Sequence, residues 1–339
     1  MGKTNANMRN AQKENDDEFY TLYEDIAAEL VHYKEYFKGK RIICPCDWDE
    51  SFATELVFYK KEDTYEPNMF CESNGSVKKI KLKETKKNFQ RDISLIKCNF
   101  IKFLVSHAEE WGIKSISVSG YNPKTEEGVR FQDVDYSKYD VVVTNPPFSL
   151  FRDFIDVMFE NNMEFLIIGN KNSVLYKNVW PHFRDDEIRL GYTNPKNFMR
   201  PNGTISDKVQ GLCRWFTSFP VDNKKDPFIF TEYYSKEKHP DVVNYDAIKV
   251  RKTKEIPADY YGNMAVPVTF LDYYNPEQFE IVSVSGECAI PIKECVEEDA
   301  VYTKGGLSFY TKIGDKKYKR EFGALVIKRK KKGDANDED

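Results

Sequence analysis

Four short runs rich in apolar residues, RIICPC at 41–46, IKSISVSG at 113–120, KYDVVVTN at 138–145 and EFLIIGN at 164–170, are separated by stretches with apolar residues at helical spacing. Runs without a clean polar alternation suit strands buried on both faces, and such strands belong to parallel sheets covered by helices. The intervening NFIKFLVSHAEEW (99–111) and SLFRDFIDVMFENN (149–162) are amphipathic at a period of 3.6 residues, and Gly112 is placed to close the first in a left-handed turn. A third helical pattern runs through EFYTLYEDIAAELVHYKEYF after Asp17. Strand, helix and strand in alternation predict an α/β chain with a doubly wound, mostly parallel sheet. In that architecture ligands bind beyond the carboxyl ends of the strands.

The pattern changes after about Asn194. NPKNFMRPNGT reads as a loop and GLCRWFTSF as an alternating strand; from Asp226 there are short strands and Pro/Asn turns without a long helix. With 339 residues, two modules are expected. We place a disordered leader at 1–16, a core at 17–225 with a lysine-rich insertion at about 52–97, a mixed, mainly β module at 226–330 and a disordered tail at 331–339. No run approaches the roughly eighteen apolar residues of a membrane span, and the polar N-terminus lacks the apolar stretch of a secretory signal. Seven cysteines without framework spacing fit a reducing cytoplasm. Cys44 and Cys46 have no second pair at metal-ligand spacing, so they read as strand-end thiols and no metal is expected. The net charge of −4 conceals the basic stretch GDKKYKREFGALVIKRKKKG, and a nucleic-acid face needs only local positive charge.

The segment VVVTNPPFSLFR places Asn145, Pro146, Pro147 and Phe148 where the sheet presents its ligands. The Asn145 side-chain carbonyl and a backbone carbonyl such as that of Pro146 can accept both hydrogens of an exocyclic amine. Proline fixes φ, so the loop is set before a ligand arrives, and Phe148 can stack on a planar heterocycle for about 1–3 kcal/mol. Two acceptors on an adenine amine favour a pyramidal nitrogen with its lone pair aimed at an electrophile. The methyl group of S-adenosylmethionine is the natural electrophile, and positioning with electrostatics supplies the acceleration. The bland alternative is a Pro-Pro strand stop.

NPPF after a strand, together with DEFYT (17–21), FLIIGN, NYDAIKVRKTKEIP, AVPVTFL and NPEQFE, resembles the EcoRI-type adenine-specific DNA methyltransferases from about Asp17 to Glu280, outside the insertion. The resemblance implies a Rossmann-like class I methyltransferase core, a C-terminal target-recognition region, and S-adenosylmethionine as cofactor. It also implies that Phe19, Tyr20 and Thr21 lie against the cofactor's methionine end, although they also suit a helix start. Cys46 and Asp47, in CPCDWDES, match the loop that meets the cofactor's amino acid group; the usual glycines are missing there. Tyr121 or Asn122 stands where a ribose contact is expected, or in a plain turn. Asp133 or Asp135 either meets the cofactor's adenine or is a solvated acid. Ser149 and Phe151 match the family segment near the cofactor, and Phe198 the aromatic loop closing on an extruded base, or packing on the core.

Methyl transfer to adenine in a duplex requires base flipping. Lys249, Arg251, Lys252 and Lys254 are candidate DNA contacts, as are the lysines at 328 and 330–332; a solvated basic face is the alternative. The expected partner is double-stranded DNA, with a cognate restriction endonuclease in a restriction-modification setting, and a monomer suffices. Two rival readings are an amino-methyltransferase acting on RNA or protein, and a catalytically inactive DNA-binding relative.

Overall fold

Val, Ile and Leu side chains that must leave water put the apolar runs into strands. The computed structural model describes residues 20–47, 54–57, 78–81, 96, 98–122, 127–196, 198–199, 205–206, 211–222 and 225–331. The expected leader at 1–16, Phe19, most of the insertion at 52–97 and the tail beyond 331 lie outside the described residues. The chain divides into two compact units, one of residues up to Asn170 with Asp186–Val221, the other of Lys171–Asp185 with the chain from Asp222.

The first unit begins with β1 (Tyr20–Thr21), α1 (Tyr23–Leu30), a 3-10 turn and α2 (Lys34–Phe37). The single helix expected after Asp17 is thus two α segments joined by tighter turns. There follow β2 (Arg41–Cys44), β3 (Thr54–Val57), β4 (Lys78–Lys81), α3 (Asn99–Trp111), β5 (Ser115–Val118), β6 (Tyr121–Asn122) and β7 (Glu127–Gly128). Then come β8 (Val141–Thr144), α4 (Phe151–Glu160), β9 (Glu164–Asn170), β10 (Arg189–Leu190), β11 (Phe198–Met199), β12 (Ile205–Ser206) and β13 (Cys213–Thr217).

Eight of these strands form one sheet, in the order β10-β13-β9-β8-β2-β5-β3-β4. The central β5, β2, β8 and β9 are parallel, whereas β13 is antiparallel to β9 and to β10. β13 was expected to alternate, yet all five of its residues are buried because it lies inside the sheet. The chain passes from β2 to β5 on one side and returns to β8 on the other. The switch of direction therefore lies between β2 and β8, the place where sheets of this kind present their ligands at the carboxyl ends. At the opposite end, Arg41 donates to Asp140 through Nη2 at 2.7 Å, Nε at 3.0 Å and its backbone N–H at 2.7 Å, a bidentate lock on register.

Helix α3 buries Phe100, Ile101, Phe103, Leu104, Val105, Ala108 and Trp111 and ends at Gly112 with φ 65°, the left-handed cap its sequence predicts. Gly169 in β9 lets α4 approach, since a Cβ there would stand 2.3 Å from the Phe151 ring.

In the second unit are α5 (Trp180–Arg184), β14 (Ile248–Lys249), β15 (Met264–Pro267), β16 (Phe279–Val284), α6 (Ser285–Cys288), β17 (Val301–Tyr302), β18 (Tyr310–Gly314), β19 (Lys317–Arg320) and β20 (Ala324–Arg329). They make a four-stranded sheet, β14-β15-β20-β16, and a three-stranded sheet, β17-β19-β18. Residues 171–185 were expected in the core module, but they pack in this unit. The Trp180 indole donates to Glu287 at 2.6 Å, and Gly323 leaves room for Leu175, whose Cδ1 would lie 2.8 Å from an added Cβ.

Candidate active site

Strand β8 carries Thr144 and Asn145 to the carboxyl edge of the sheet, and the sequence after them dictates a sharp change of course. Pro146 and Pro147 cannot continue the strand ladder; Phe148–Leu150 turn in a 3-10 helix, and α4 starts at Phe151. Pro146 is buried, Asn145 and Phe148 are partly buried, and the Asn145 Oδ1 atom itself is buried. The Phe148 ring packs on the core and meets Phe198 edge to face, with centroids 6.3 Å apart at 82°.

On the neighbouring strand, Asp47 follows the end of β2. Its Oδ2 accepts the Thr144 hydroxyl at 2.5 Å and its Oδ1 the Cys98 thiol at 3.4 Å. Asp47 thereby ties the ends of β2 and β8 to the first turn of α3. Burial pushes its carboxyl up to about 6, against the two hydrogen bonds, which pull it down. A carboxylate held this way favours a cationic neighbour. Asn99, one residue into α3, donates from Nδ2 to the Thr21 carbonyl at 2.8 Å. The Thr21 hydroxyl is buried without a hydrogen-bond partner among the described residues, an arrangement that costs about 1–3 kcal/mol until a partner is supplied. An anionic Asp47 and an orphaned Thr21 hydroxyl fit the ammonium and carboxylate of a cofactor's amino acid group.

The sequence-predicted residues divide clearly. Thr21, Cys46, Asp47 and Asn145–Phe148 belong to elements that converge on this end of the first unit. Tyr20 lies in β1 and Tyr121 in β6. Asp133 is exposed, and so is Asp135, whose carboxylate takes the Ser137 hydroxyl at 2.6 Å and pairs with Lys138 at 3.1 Å. Two of the aromatic candidates are buried. Phe151 is 1% exposed against Gly169 and Phe216, and Phe198 is 0% exposed, which is the core-packing alternative its sequence position allowed. Phe198 instead supports Phe148. Cys44 and Cys98 are buried, and burial raises both thiols. No group of His, Cys, Asp or Glu among the described residues is arranged to hold a metal.

In the second unit Arg251, Lys252 and Lys254 are exposed, as are Lys328, Lys330 and Lys331, while 332 is outside the described residues. Lys252 pairs with Glu255 at 3.6 Å. Lys249 departs from the expected basic face: it is 6% exposed, and burial lowers its pKa.

Sequence reasoning missed Thr144, Cys98, Asn99 and Glu29. Glu29 is 0% exposed; its carboxylate accepts the Tyr33 hydroxyl at 2.8 Å, the backbone N–H groups of Tyr192 and Thr193 at 2.9 and 2.7 Å, and the Thr193 hydroxyl at 2.7 Å. The signal was present, because Glu29 interrupts the apolar stripe of Ile26, Leu30, Tyr33 and Phe37.

A strand-end Asn-Pro-Pro-Phe loop beside the buried acid Asp47 at the sheet's switch point is the arrangement expected of an enzyme that transfers a methyl group to an exocyclic amine. The sequence pattern described as adenine-specific methyltransferase EcoRI matches residues 7–330, and the chain belongs to that family. It is 31% identical to the type II methyltransferase M.EcoRI of Escherichia coli, over 84% of this chain and 94% of that protein. It is 32% identical to the type II methyltransferase M.MpnI of Mycoplasma pneumoniae, over 80% of this chain and 83% of that one. No solved structure matches the chain. No helix among the described residues is long and apolar enough to cross a membrane.

Proposed function

We propose that the chain is a site-specific DNA adenine N6-methyltransferase, with a Rossmann-like class I core in its first unit and a DNA target-recognition region in its second. The placement of Asn145-Pro146-Pro147-Phe148 at the carboxyl end of β8, beside the switch point, carries this reading. S-adenosylmethionine supplies a methyl group on a sulfonium that departs as a neutral thioether. Asp47 and Thr21 hold the amino acid end of that cofactor, Asp47 by charge and Thr21 by its available hydroxyl.

An adenine turned out of the duplex stacks on Phe148, which repays part of the few kcal/mol of unstacking. The Asn145 Oδ1 and the Pro146 carbonyl accept the two amine hydrogens. Withdrawal of both hydrogens toward fixed oxygens localises the nitrogen lone pair, so that it can attack. The extra proton of the product amine leaves to solvent after transfer, and the rigid Pro-Pro backbone keeps both acceptors in place throughout. Preorganised acceptors of this kind contribute about 3–4 kcal/mol each to a transition state.

The test replaces Asn145 with alanine in the full chain. Asn145→Ala keeps duplex DNA and S-adenosylhomocysteine affinity and lowers methyl transfer by about 10²–10³-fold. Near-wild-type turnover would reject the amine-acceptor role. Tritiated methyl transfer by the wild type is offered duplex DNA, RNA and protein in parallel; transfer to RNA or protein alone would replace DNA as the substrate.

A further inference from the structure

Two basic stretches far apart in the sequence, AIKVRKTKE at 247–255 and DKKYKR at 315–320, come together in the second unit. Strand pairing brings them together. Lys319 lies opposite Thr311 in the β18–β19 hairpin, and Thr311 bridges Val242. The same segment continues back through Asp241, which bridges Ile248, to Pro240, whose carbonyl accepts the Lys249 N–H at 2.8 Å. Residues 240–242 therefore join the hairpin to β14 as one run of paired backbone.

The cations on this run have different surroundings. Lys249 is buried, and burial lowers its pKa; the Glu321 charge opposes that shift, and the lesser effects of Lys319 and Arg251 add to it. Arg251 follows Lys249 by two residues, and Lys319 faces Thr311 on the strand that residues 240–242 join to β14. Glu321, the acid among them, is 9% exposed, and its carboxylate accepts the Thr311 hydroxyl at 2.8 Å. Arg251, Lys317 and Lys319 are all exposed and form no ion pair among the described residues, unlike Lys316, which pairs with Asp299 at 2.6 Å.

Alternation along β19 sorts the hairpin into two faces. Tyr318 points into a small core with Tyr310 and Ile292, so Lys317 and Lys319 lie on the opposite face. There Lys317 is paired in register with Val301, which is 62% exposed. Tyr318's side of the three-stranded sheet packs on the protein, and the other side carries the exposed Lys317 and Lys319, with the buried Thr311–Glu321 pair beside them. Holding like charges together costs free energy that a polyanion would recover.

We propose that Arg251, Lys317 and Lys319 form one composite face that grips the sugar-phosphate backbone of duplex DNA. This rests on the reading of the chain as a DNA methyltransferase and assigns the phosphate contacts to a sheet face in place of Lys249. Phosphate contacts position a duplex without reading its sequence, so the face sets affinity and its salt dependence, not the choice of site.

The experiment measures duplex binding by the full chain across a salt series. Each lost phosphate contact removes about 0.9 from the slope of log affinity against log salt. The triple variant Arg251→Ala/Lys317→Ala/Lys319→Ala is expected to lose about 2–3 from that slope. Between 50 and 200 mM salt the wild type then loses about forty-fold more affinity than the variant. S-adenosylhomocysteine binding and the thermal midpoint stay as in the wild type. The charge-conserving Arg251→Lys/Lys317→Arg/Lys319→Arg restores the slope, and Lys114→Ala, at the amino end of β5, leaves it unchanged. A triple variant with the wild-type slope overturns the proposal, as does a charge-conserving variant that fails to recover it. A wild type that methylates no DNA would instead overturn the functional reading, and the salt slopes of the same variants would still decide the face.

Discussion

At the scale of single residues, Asp47 links the fold to ligand binding through its charge. Its carboxyl is raised from 3.8 to about 6, so the protonated form suits the ligand-free fold better. The associated stability is fully present below about pH 4 and is lost as pH rises through about 6. A cationic amino group beside Asp47 reverses that preference. S-adenosylhomocysteine affinity, followed by calorimetry, should therefore increase through a step near pH 6, and Asp47→Asn should abolish the step while raising the ligand-free melting point at pH 8. A pH-independent wild-type affinity would remove Asp47 from the cofactor site. Phe148 and Phe198, which meet edge to face, make a contrasting pair. Phe148→Ala should weaken binding of a flipped adenine by about 1–3 kcal/mol, read by 2-aminopurine fluorescence, with little change in melting. Phe198→Ala empties a buried position and should cost about 3–5 kcal/mol of stability. Equal melting losses in the two variants would contradict the division of labour between a stacking ring and its support.

At the scale of elements, helix α1 acts as a clamp. Glu29 and Asp25, one turn apart, hold the 192–196 loop, Glu29 through Tyr192 and Thr193 and Asp25 through the Lys196 N–H at 2.9 Å. That loop leads into β11, where Phe198 pairs with Thr21 in the β1–β11 ladder. Glu29→Gln turns a donor toward backbone donors and should cost about 1–3 kcal/mol. Hydrogen exchange should show lost protection at the Tyr192 and Thr193 amides, and unchanged protection there would refute the clamp. Much of this layout could be read from the chain. Gly112 announced the end of α3, the Val-rich run announced β8, and Pro-Pro announced the turn that carries Asn145. What could not be read has a common cause: Glu29, Thr144 and Cys98 act through partners distant in sequence, and local periodicity carries no information about such pairs. Phe198 was ambiguous for a related reason, since an aromatic loop residue has the same sequence signature whether it faces a ligand or fills a core.

For the whole molecule, the order of the chain and the order of its units disagree. Residues 171–185 leave the first unit after β9, pack within the second, and return to the first as β10. A sequence reading that looks for a single boundary near residue 225 has no means of seeing that excursion, because the helical turn WPHFR resembles any surface helix. The excursion is apolar where it packs: Val174, Val179 and Trp180 are 0–1% exposed, and each such side chain is worth about 1.5–3 kcal/mol of burial. Cutting the chain after Val221 would strip these residues of their partners in the second unit, including Glu287 beside the Trp180 indole. The fragment 1–221 should accordingly bind a hydrophobic dye and self-associate in sedimentation, although its eight-stranded sheet is complete. Replacing 171–185 in that fragment with a Gly/Ser stretch of equal length should suppress both signals. If the uncorrected fragment sediments as a monomer and binds no dye, the excursion does not depend on the second unit for its burial.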